Sequence, residues 1–223
     1  MACDSNILKK IYPKPDYNYD KLNYDKVGLW SITRPDEADI ISSTIINLLS
    51  LDIKILDMTA GCGGNTISFC KHFNNVVAIE CDPDRFEILK NNLSCYDFNN
   101  YTIVCGDSLD YLESKESIDS KDYINLKKDS KDYIESKESI DSYDVYFIDP
   151  PWGGPSYKQL DSIELVLSNI KLNDIVEMIP LNKLVVLKLP FNYNIDSFNK
   201  FTILKKLEMK NIIILFLIRL TIE

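Results

Sequence analysis

The chain contains a single histidine, His72, and none of its six cysteines belongs to a Cys-x-x-Cys pair. Structural zinc sites are built from closely spaced cysteines and histidines, and most serine or cysteine nucleophiles depend on a histidine base. We therefore expect no metal site and no histidine-assisted covalent catalysis. The first twenty residues carry no apolar leader, so we expect an intracellular protein of the nucleus or cytoplasm, not a secreted one, with reduced thiols.

Long apolar runs are also missing. The longest, residues 212–220, is broken by Arg219 and falls far short of the ~20 residues of a membrane span, so it predicts a buried strand and no membrane partner. An excess of positive charge is missing as well, because 34 acidic residues outnumber 25 basic ones and the net charge is −9. Phosphate contacts supply much of the affinity for nucleic acids, so broad binding along a duplex is disfavoured. A compact nucleic-acid end or a small molecule is compatible with this charge.

Part of the acidic excess is local. Residues 113–144 hold ten acids and six lysines, and the heptapeptide Glu-Ser-Lys-Glu-Ser-Ile-Asp occurs twice, at 113–119 and 135–141. This Ser-, Lys- and acid-rich composition lacks the apolar content of a packed core. We therefore predict a low-complexity surface insertion over residues 113–142, a charged helix or loop with no direct part in chemistry.

The remainder alternates between strand and helix patterns, with a helical pattern over residues 160–179 and a closing antiparallel pair, 201–209 and 212–220. The other strand patterns cover residues 53–56, 76–79, 101–105, 143–148 and 183–189. This alternation predicts an α/β protein with a mostly parallel sheet and helices on both faces. We divide it into an N-terminal segment, 1–35, and a domain, 36–223.

Acidic side chains follow four of the predicted strands: Asp57, Glu80, Asp107 and Asp149. The carboxyl ends of parallel strands share one edge of a sheet, and ligands bind there. Glu80 suits the hydroxyls of a ribose, Asp107 an adenine amino group and Asp57 an ammonium group. The glycine-rich turn at residues 60–64 lets the backbone approach a ligand closely, although its spacing departs from Gly-x-Gly-x-x-Gly. Together these residues predict a cationic adenosyl ligand that carries an amino acid, S-adenosylmethionine.

The last of these acids begins the motif Asp-Pro-Pro-Trp-Gly-Gly-Pro at residues 149–155. Asp149 and the carbonyl of Pro150 can both accept hydrogen bonds from an amino group, and the prolines fix the backbone that carries this carbonyl. Trp152 offers a flat face for a nucleobase. The motif therefore predicts a site that presents the amino group of a base to an electrophile. A proline-rich turn around an inward-packed tryptophan is the alternative.

In five pieces, the sequence resembles the trimethylguanosine synthases, a family of class I methyltransferases. The pieces are Trp-Ser-Ile-Thr at 30–33, the glycine-rich stretch 57–66, Lys-Asn-Asn at 90–92, Gly-Asp-Ser at 106–108 and Pro-Pro-Trp-Gly-Gly-Pro at 150–155. The last piece is the most specific, because many methyltransferases share the glycine loop. The resemblance covers about residues 30–192 apart from the insertion.

The resemblance implies a Rossmann-like class I methyltransferase fold, with a seven-stranded, mostly parallel sheet whose last strand is antiparallel. It implies S-adenosylmethionine-dependent methylation of the guanine N2 amino group of a 7-methylguanosine RNA cap, giving a dimethyl- or trimethylguanosine cap. The N-terminal segment, residues 1–35, would close over the cofactor and cap site. Capped RNA would be the partner of a protein that we expect to be a monomer.

The residues themselves and the resemblance together predict three groups of site residues. Asp149, Pro150 and Trp152 would form the catalytic group. The cofactor would be held by Ser31, Thr33, Asp57, Ala60, Gly61, Cys62, Gly63, Asn65, Thr66, Glu80, Cys81, Asp107, Ser108 and Asp149. The capped substrate would contact Trp152, Asn92, Pro155, Asn192 and, as candidates for the phosphate-binding lysine, Lys9 or Lys10.

Asp149 is a departure, because the trimethylguanosine synthases carry a serine at its position. The acid resembles the Asp-Pro-Pro-Tyr motif of amino-methyltransferases. An adenine-N6 or guanine-N2 methyltransferase that acts on DNA or ribosomal RNA is therefore the alternative enzyme. A cap-binding module without catalysis is the second alternative, and it is disfavoured because each predicted cofactor acid is present.

Overall fold

The computed structural model describes residues 4–113, 123–124 and 142–221. Its centre is an eight-stranded sheet with the strand order β4-β3-β2-β1-β5-β8-β10-β9. The strands of this sheet are β1 (Lys54–Asp57), β2 (Asn75–Glu80), β3 (Tyr101–Cys105), β4 (Tyr123–Ile124), β5 (Val145–Ile148), β8 (Leu184–Pro190), β9 (Thr202–Met209) and β10 (Ile212–Ile218). A separate small hairpin pairs β6 (Val166–Leu167) with β7 (Ile170–Lys171).

Five strands of the sheet run parallel in the order β3-β2-β1-β5-β8, and β10 joins β8 in the antiparallel sense. β9 pairs with β10 across a turn that holds Lys210 at a φ of 52°. The predicted mostly parallel seven-stranded sheet with an antiparallel last strand is confirmed. The two-residue strand β4, which pairs antiparallel with β3, adds an eighth strand at the edge.

Helices cover both faces of the sheet, as the strand–helix alternation predicts. They are α1 (Ser5–Ile11), α2 (Gly28–Ser31), α3 (Pro35–Leu48), α4 (Gly64–His72), α5 (Pro83–Leu93), α6 (Ser108–Glu113) and α7 (Leu172–Met178). α3 shows the sequence logic: Pro35 occupies its first turn with Asp36 and Glu37, which suit the positive end of the helix dipole. Ala38, Ile41 and Ile45 form its buried stripe.

Two hydrophobic cores lie on opposite sides of the sheet, because alternate residues of a strand point to opposite faces. In β5, Val145 and Phe147 belong to the first core, while Tyr146 and Ile148 belong to the second. Every residue of β5 and β8 is buried. A polar side chain within these strands must therefore find a partner inside the protein.

The predicted helix over residues 160–179 is wrong in its first half. That stretch holds the β6–β7 hairpin, and only Leu172–Met178 is helical. Ser168 and Asn169 form the hairpin turn with φ angles of 50° and 66°. Positive φ at both central residues is typical of tight hairpins, and it stops a helix from forming there.

The N-terminal segment packs on the first core through fully buried side chains of Leu8, Tyr12 and Leu22. Of the predicted insertion, the structure describes Glu113, which ends α6, residues 123–124, which form β4, and Ser142; the rest lies outside the described residues. None of the helices in the described ranges has the length and apolar content of a membrane span.

Candidate active site

Three predicted acids meet at the carboxyl edge of the sheet. Asp57 ends β1, Glu80 ends β2 and Asp149 directly follows β5. β1 lies between β2 and β5, so Asp57 is the central acid of the three. The structure thus brings together residues that are far apart in the sequence, as expected for strands that run in the same direction.

Asp57 is a fully buried carboxyl group held by uncharged partners. Its Oδ2 accepts a hydrogen bond from the hydroxyl of Thr66 at 2.7 Å, and its Oδ1 accepts one from the backbone N–H of Thr59 at 3.2 Å. Burial raises the pKa of Asp57 to about 7, and the charges of Asp149 and Glu80 add to the rise. Among the described residues, no lysine or arginine forms an ion pair with Asp57.

Glu80 joins the glycine-rich turn to the start of α5. Its Oε2 accepts a hydrogen bond from the backbone N–H of Gly61 at 2.8 Å, and Oε1 accepts one from the N–H of Asp82 at 2.9 Å. Arg85 approaches Oε1 to 3.5 Å. Glu80 is 5% exposed. Burial and these contacts fix its carboxylate in position beside the glycine-rich turn.

The glycine-rich turn needs its glycines for two different reasons. Gly61 and Gly63 adopt φ angles of 57° and 98°, which favour glycine, and Gly63 caps the N-terminus of α4. Gly64 faces the N-terminal segment instead, since a Cβ there would lie 2.9 Å from the carbonyl oxygen of Thr33. Thr33 also accepts a hydrogen bond from the side chain of Asn65 at 2.9 Å.

An ion pair fastens the N-terminal segment to α5, and a thiol contact joins the segment to the glycine-rich turn. Asp25 accepts hydrogen bonds from Arg85 Nη2 at 2.9 Å and Nε at 3.2 Å, and it contacts the thiol of Cys62 at 3.7 Å. Arg85 therefore touches both the segment and Glu80. We call Asp25 and Arg85 the latch. Trp30, a few residues along the segment, has 68% of its surface exposed.

Asn92 occupies the interior beneath the segment, away from any surface. Its amide nitrogen donates to the hydroxyl of Tyr12, the carbonyl of Asn23 and the carbonyl of Cys62 at 2.8–2.9 Å. Its oxygen accepts from the N–H of Asn23 at 2.8 Å. The side chain is fully buried and its hydrogen-bonding capacity is used. This placement favours a structural role, and the predicted contact with the base forms no part of our proposal.

The other predicted cofactor residues are distributed around the same edge. Asp107 caps α6, since its Oδ1 accepts from the N–H of Leu109 at 2.9 Å, and Ser108 is buried beside it. Cys81 is exposed. Ser31 lies on α2, where its hydroxyl donates a hydrogen bond to the carbonyl of Val27 at 3.1 Å. Direct contacts between these side chains and the cofactor stay predictions.

Asp149 and Trp152 lie on the β5 side of the edge. The backbone N–H of Asp149 donates to the hydroxyl of Thr59 at 2.7 Å, which ties the motif to the turn after β1. Trp152 is half-buried and packs edge-to-face against Tyr157, with ring centroids 5.1 Å apart. Its indole nitrogen is buried and has no hydrogen-bond partner among the described residues. Pro150, between the acid and the ring, is buried.

Lys188 is a site residue that the sequence analysis missed. It lies within β8, is 5% exposed, and places Nζ 2.6 Å from Oδ2 of Asp149. The same Nζ lies 5.2 Å from the centroid of the Trp152 ring. The available signal was a single lysine in the apolar run of residues 184–189, because a charge in a buried strand requires a partner.

The remaining predicted substrate residues lie further out. Asn192 donates to the carbonyls of Tyr157 and Leu160 at 2.9 and 2.8 Å, so it fixes the loop after the motif. Pro155 is exposed at the start of that loop. Lys9 and Lys10 are exposed in the last turn of α1. In the described ranges, no group of three or more His, Cys, Asp or Glu side chains is arranged to hold a metal ion.

The sequence matches a known family over most of its length. The model of the RNA cap guanine-N2 methyltransferase family matches residues 53–218. The chain belongs to this family. The matched range contains β1, the glycine-rich turn, Glu80 and the motif at 149–155.

Relatives in other organisms support the assignment. The chain is 33% identical to an uncharacterized protein of Acanthamoeba polyphaga mimivirus, over 65% of this chain and 48% of that protein. It is 33% identical to trimethylguanosine synthase of Schizosaccharomyces pombe over 60% and 47%, and 27% identical to that of Saccharomyces cerevisiae over 78% and 50%. The chain thus spans about half the length of the curated relatives it matches.

Solved structures share the fold. The precorrin-6y C5,15-methyltransferase of Geobacter metallireducens superposes with a TM-score of 0.53 at 14% identity, covering 91% of this chain and 95% of that one. A mutant form of MtNAS in complex with S-adenosylmethionine gives a TM-score of 0.53 at 8% identity, covering 82% and 62%. At these identities the likeness shows the Rossmann-like class I fold alone.

The site fits the cofactor of the family. Asp57 offers a buried carboxyl group with no described cationic partner, and Glu80 offers a fixed carboxylate beside Gly61, where a Cβ would meet no atom closer than 4.0 Å. A cationic amino-acid group and a ribose match this pair. The family to which the chain belongs is one of methyltransferases, and its cofactor is S-adenosylmethionine.

Proposed function

We propose that this methyltransferase modifies the N2 amino group of 7-methylguanosine at an RNA cap. The observation that carries the proposal is the pairing of an acid, Asp149, with an aromatic ring, Trp152, at the strand edge beside Asp57. The acid suits an amino group and the ring suits a base. The family match and the yeast relatives support guanine N2 as the acceptor.

Asp149 and Pro150 would orient the amino group. No hydrogen bond from the described residues reaches Oδ1 of Asp149, whereas Oδ2 is held by Lys188. Oδ1 can therefore accept from the N2 amino group together with the carbonyl oxygen of Pro150. When bound, S-adenosylmethionine supplies an electrophilic methyl group. Good alignment of two reactants is worth ~7–11 kcal/mol, so orientation alone accounts for much of the catalysis. The proton that the amino nitrogen loses would pass to Oδ1 of Asp149.

Trp152 would stack on the base. Stacking of a base on an aromatic side chain contributes ~1–3 kcal/mol, and the positive ring of 7-methylguanine adds a cation–π contribution of ~0.5–2 kcal/mol. Lys188 already places an ammonium group near this indole, and two cations share the same ring electrons. We therefore expect the lower end of the cation–π range, which amounts to about a two- to threefold preference for the methylated base.

The N-terminal segment would close the site. The closeness of Thr33 to Gly64 and the contact of Asp25 with Cys62 support this role. Ser31 and Thr33 would then face the cofactor, and Lys9 or Lys10 would meet the cap phosphates. A short charged cap with two or three phosphates, rather than a long duplex, is the partner that a chain with a net charge of −9 can accept.

A methylation assay with labelled cofactor tests the proposal. The acceptors are 7-methylguanosine diphosphate, guanosine diphosphate and duplex DNA, and the variants are Trp152→Ala and Trp152→Phe. We expect methylation of 7-methylguanosine diphosphate only. Trp152→Ala should lower turnover by about 100-fold or more, because stacking and alignment are both lost. Trp152→Phe keeps a flat ring and should retain part of the activity.

Cofactor affinity is the control in this experiment. Both tryptophan variants should bind S-adenosylmethionine within about threefold of the unmodified protein, because Asp57 and Glu80 lie on other strands. Normal turnover by Trp152→Ala would contradict the role of the ring.

One observation favours a second function. Asp149 stands where the resemblance implies serine, and an acid before Pro-Pro resembles amino-methyltransferases that act on DNA or ribosomal RNA. Labelling of DNA alone in the same assay would favour that enzyme. With ribosomal RNA added as a fourth acceptor, labelling of this RNA without the cap nucleotide would favour it as well.

A further inference from the structure

Lys188 is a charged residue in a place that normally holds an apolar one. β8 is buried along its whole length and lies between β5 and β10. Burying an ammonium group is costly unless it is paired. Lys188 has two neighbours that offset the cost, the carboxylate of Asp149 at 2.6 Å and the ring of Trp152 at 5.2 Å. Both are residues of the acceptor site.

The strand register explains why these residues meet. Ile148 of β5 pairs with Leu187 of β8 in a parallel ladder. The next residue on each strand is Asp149 and Lys188, so the acid and the lysine are neighbours at the sheet edge. Trp152 follows three residues after Asp149, beyond two prolines that limit the path of the backbone.

We propose that Lys188 is a positioning residue for methyl transfer, which keeps Asp149 ionised with Oδ1 available to the amino group and holds Trp152 beside it. The inference rests on the proposed function, in which Asp149 accepts a hydrogen bond from the amino group. It assigns a role to a lysine that contacts the acceptor-site residues and not the base itself.

Ionisation of Asp149 depends on its surroundings. Burial raises the pKa of Asp149, and the charge and hydrogen bond of Lys188 oppose the rise. The other groups that face Asp149 are the hydroxyl of Thr59 and, from β1, the acid Asp57, whose own pKa is raised partly by the charge of Asp149. Lys188 is the cation in this group. Without it, two largely buried acids face each other and Asp149 holds its proton to higher pH.

Protonation would impair Asp149 in its roles. With the proton on Oδ1 it would present a hydroxyl donor in place of an acceptor, and with the proton on either oxygen it could not take up the proton released when the amino nitrogen gains a methyl group. The N–C bond forms as the donor S–C bond breaks, and the proton passes from nitrogen to Oδ1. Activity therefore rises with pH through the pKa of Asp149, and a higher pKa moves that rise to higher pH.

The experiment measures the pH dependence of kcat/KM for four variants: Lys188→Met, Lys188→Arg, Asp149→Asn and the double variant of Lys188→Met with Asp149→Asn. For Lys188→Met we expect kcat/KM to fall about tenfold or more at pH 7. The rise of kcat/KM with pH should move upward by at least about one pH unit. Lys188→Arg keeps the positive charge, so its kcat/KM should rise with pH over the same range as that of the unmodified protein. In the Asp149→Asn background, adding Lys188→Met should cost at most about twofold more.

A purely structural lysine would give a different result. It would lower activity by the same factor at every pH, and its loss would add to that of Asp149→Asn. Either finding would overturn the proposal. If Lys188→Met does not fold, as judged by thermal unfolding, Lys188→Gln takes its place in the same tests, because it retains a hydrogen-bond donor at similar length.

A second readout is independent of the substrate. The carboxyl carbon of Asp149 is followed by ¹³C NMR titration of the protein alone, with the signal assigned through its loss in Asp149→Asn. Lys188→Met should titrate at higher pH than the unmodified protein, and an unchanged titration would refute the inference. If the unmodified protein fails to methylate 7-methylguanosine diphosphate, the proposed function fails, and the titration still decides whether Lys188 keeps Asp149 ionised.

Discussion

Asp57 and Asp149 are two largely buried acids at neighbouring strand ends, and the protein treats them differently. Asp57 is held by a hydroxyl and a backbone N–H, and burial raises its pKa to about 7. Asp149 is paired with the ammonium of Lys188 at 2.6 Å. One acid lacks a described cationic partner and the other has a dedicated one, although both strands belong to the same parallel sheet.

The difference matches the ligands proposed for the two acids. S-adenosylmethionine brings its own ammonium group, so an acid that meets it needs no lysine. The N2 amino group of guanine is neutral, so an acid that meets it must be kept ionised by the protein. In the proposed roles, the ligand supplies the positive charge that meets Asp57, and the chain supplies the positive charge that meets Asp149, at the same edge of the sheet.

The largest expected effect concerns Glu80, the second acid on the cofactor side. Glu80→Ala should weaken S-adenosylmethionine binding by about 100-fold, because hydrogen bonds to a charged group contribute ~1.5–3 kcal/mol each. Isothermal titration calorimetry measures the dissociation constant, with Glu80→Gln as the matched control that keeps one acceptor oxygen. An unchanged dissociation constant in Glu80→Ala would show that Glu80 does not bind the cofactor.

The next effect tests whether the cofactor supplies the charge that Asp57 lacks. The pKa of Asp57 without ligand is about 7, above its ordinary value of 3.8, so the ionised form predominates only above about pH 7. A cationic ligand binds the ionised form. Affinity for S-adenosylmethionine should therefore be full above pH 7 and fall by about tenfold between pH 7.5 and pH 6.

Proton release gives an independent check of this linkage. At pH 6.5, cofactor binding should release protons, which calorimetry detects by comparing buffers of different ionisation enthalpy. Asp57→Asn cannot ionise, so it should bind more weakly, release fewer protons and show a flatter pH dependence. Equal proton release by the variant would show that Asp57 does not meet the ammonium group.

The smallest expected effect concerns the latch. Asp25→Asn and Arg85→Gln each break an ion pair whose side chains are 31% and 19% exposed. Solvent screening limits such a pair to about 1 kcal/mol, which corresponds to about fivefold weaker cofactor binding. The double variant should be no weaker than either single one, because both remove the same contact. Additive losses would mean that Arg85 acts mainly through Glu80.

The fold followed from the sequence because its signals are local and repeated. Apolar runs such as residues 145–148 and 184–189 predict strands buried on both faces, and the alternation with helices fixes their parallel direction. The stretch 160–179 was misassigned because Ser168 and Asn169 adopt positive φ without the glycine that usually marks such a turn.

Only part of the candidate site could be predicted from the sequence. Acids at strand ends can be found from the sequence, because the sheet brings strand ends together. The partnership of Asp149 and Lys188 could not be found in this way, since it depends on the register between β5 and β8. Asn92 is the opposite case, because the sequence predicts a role at the site that its position in the fold does not favour. Its position in a family motif predicts a substrate contact, while four of the hydrogen bonds of its side chain are made with the N-terminal segment and the glycine-rich turn.

Those hydrogen bonds also set an order of events during synthesis. Tyr12 and Asn92 are 80 residues apart in the chain, yet the amide of one donates to the hydroxyl of the other. A ribosome adds ~5–20 residues per second, so Tyr12 is made roughly 4–16 s before Asn92 on that scale. The N-terminal segment is translated before the glycine-rich turn and α5, so it can complete its docking only after both of these elements have been translated.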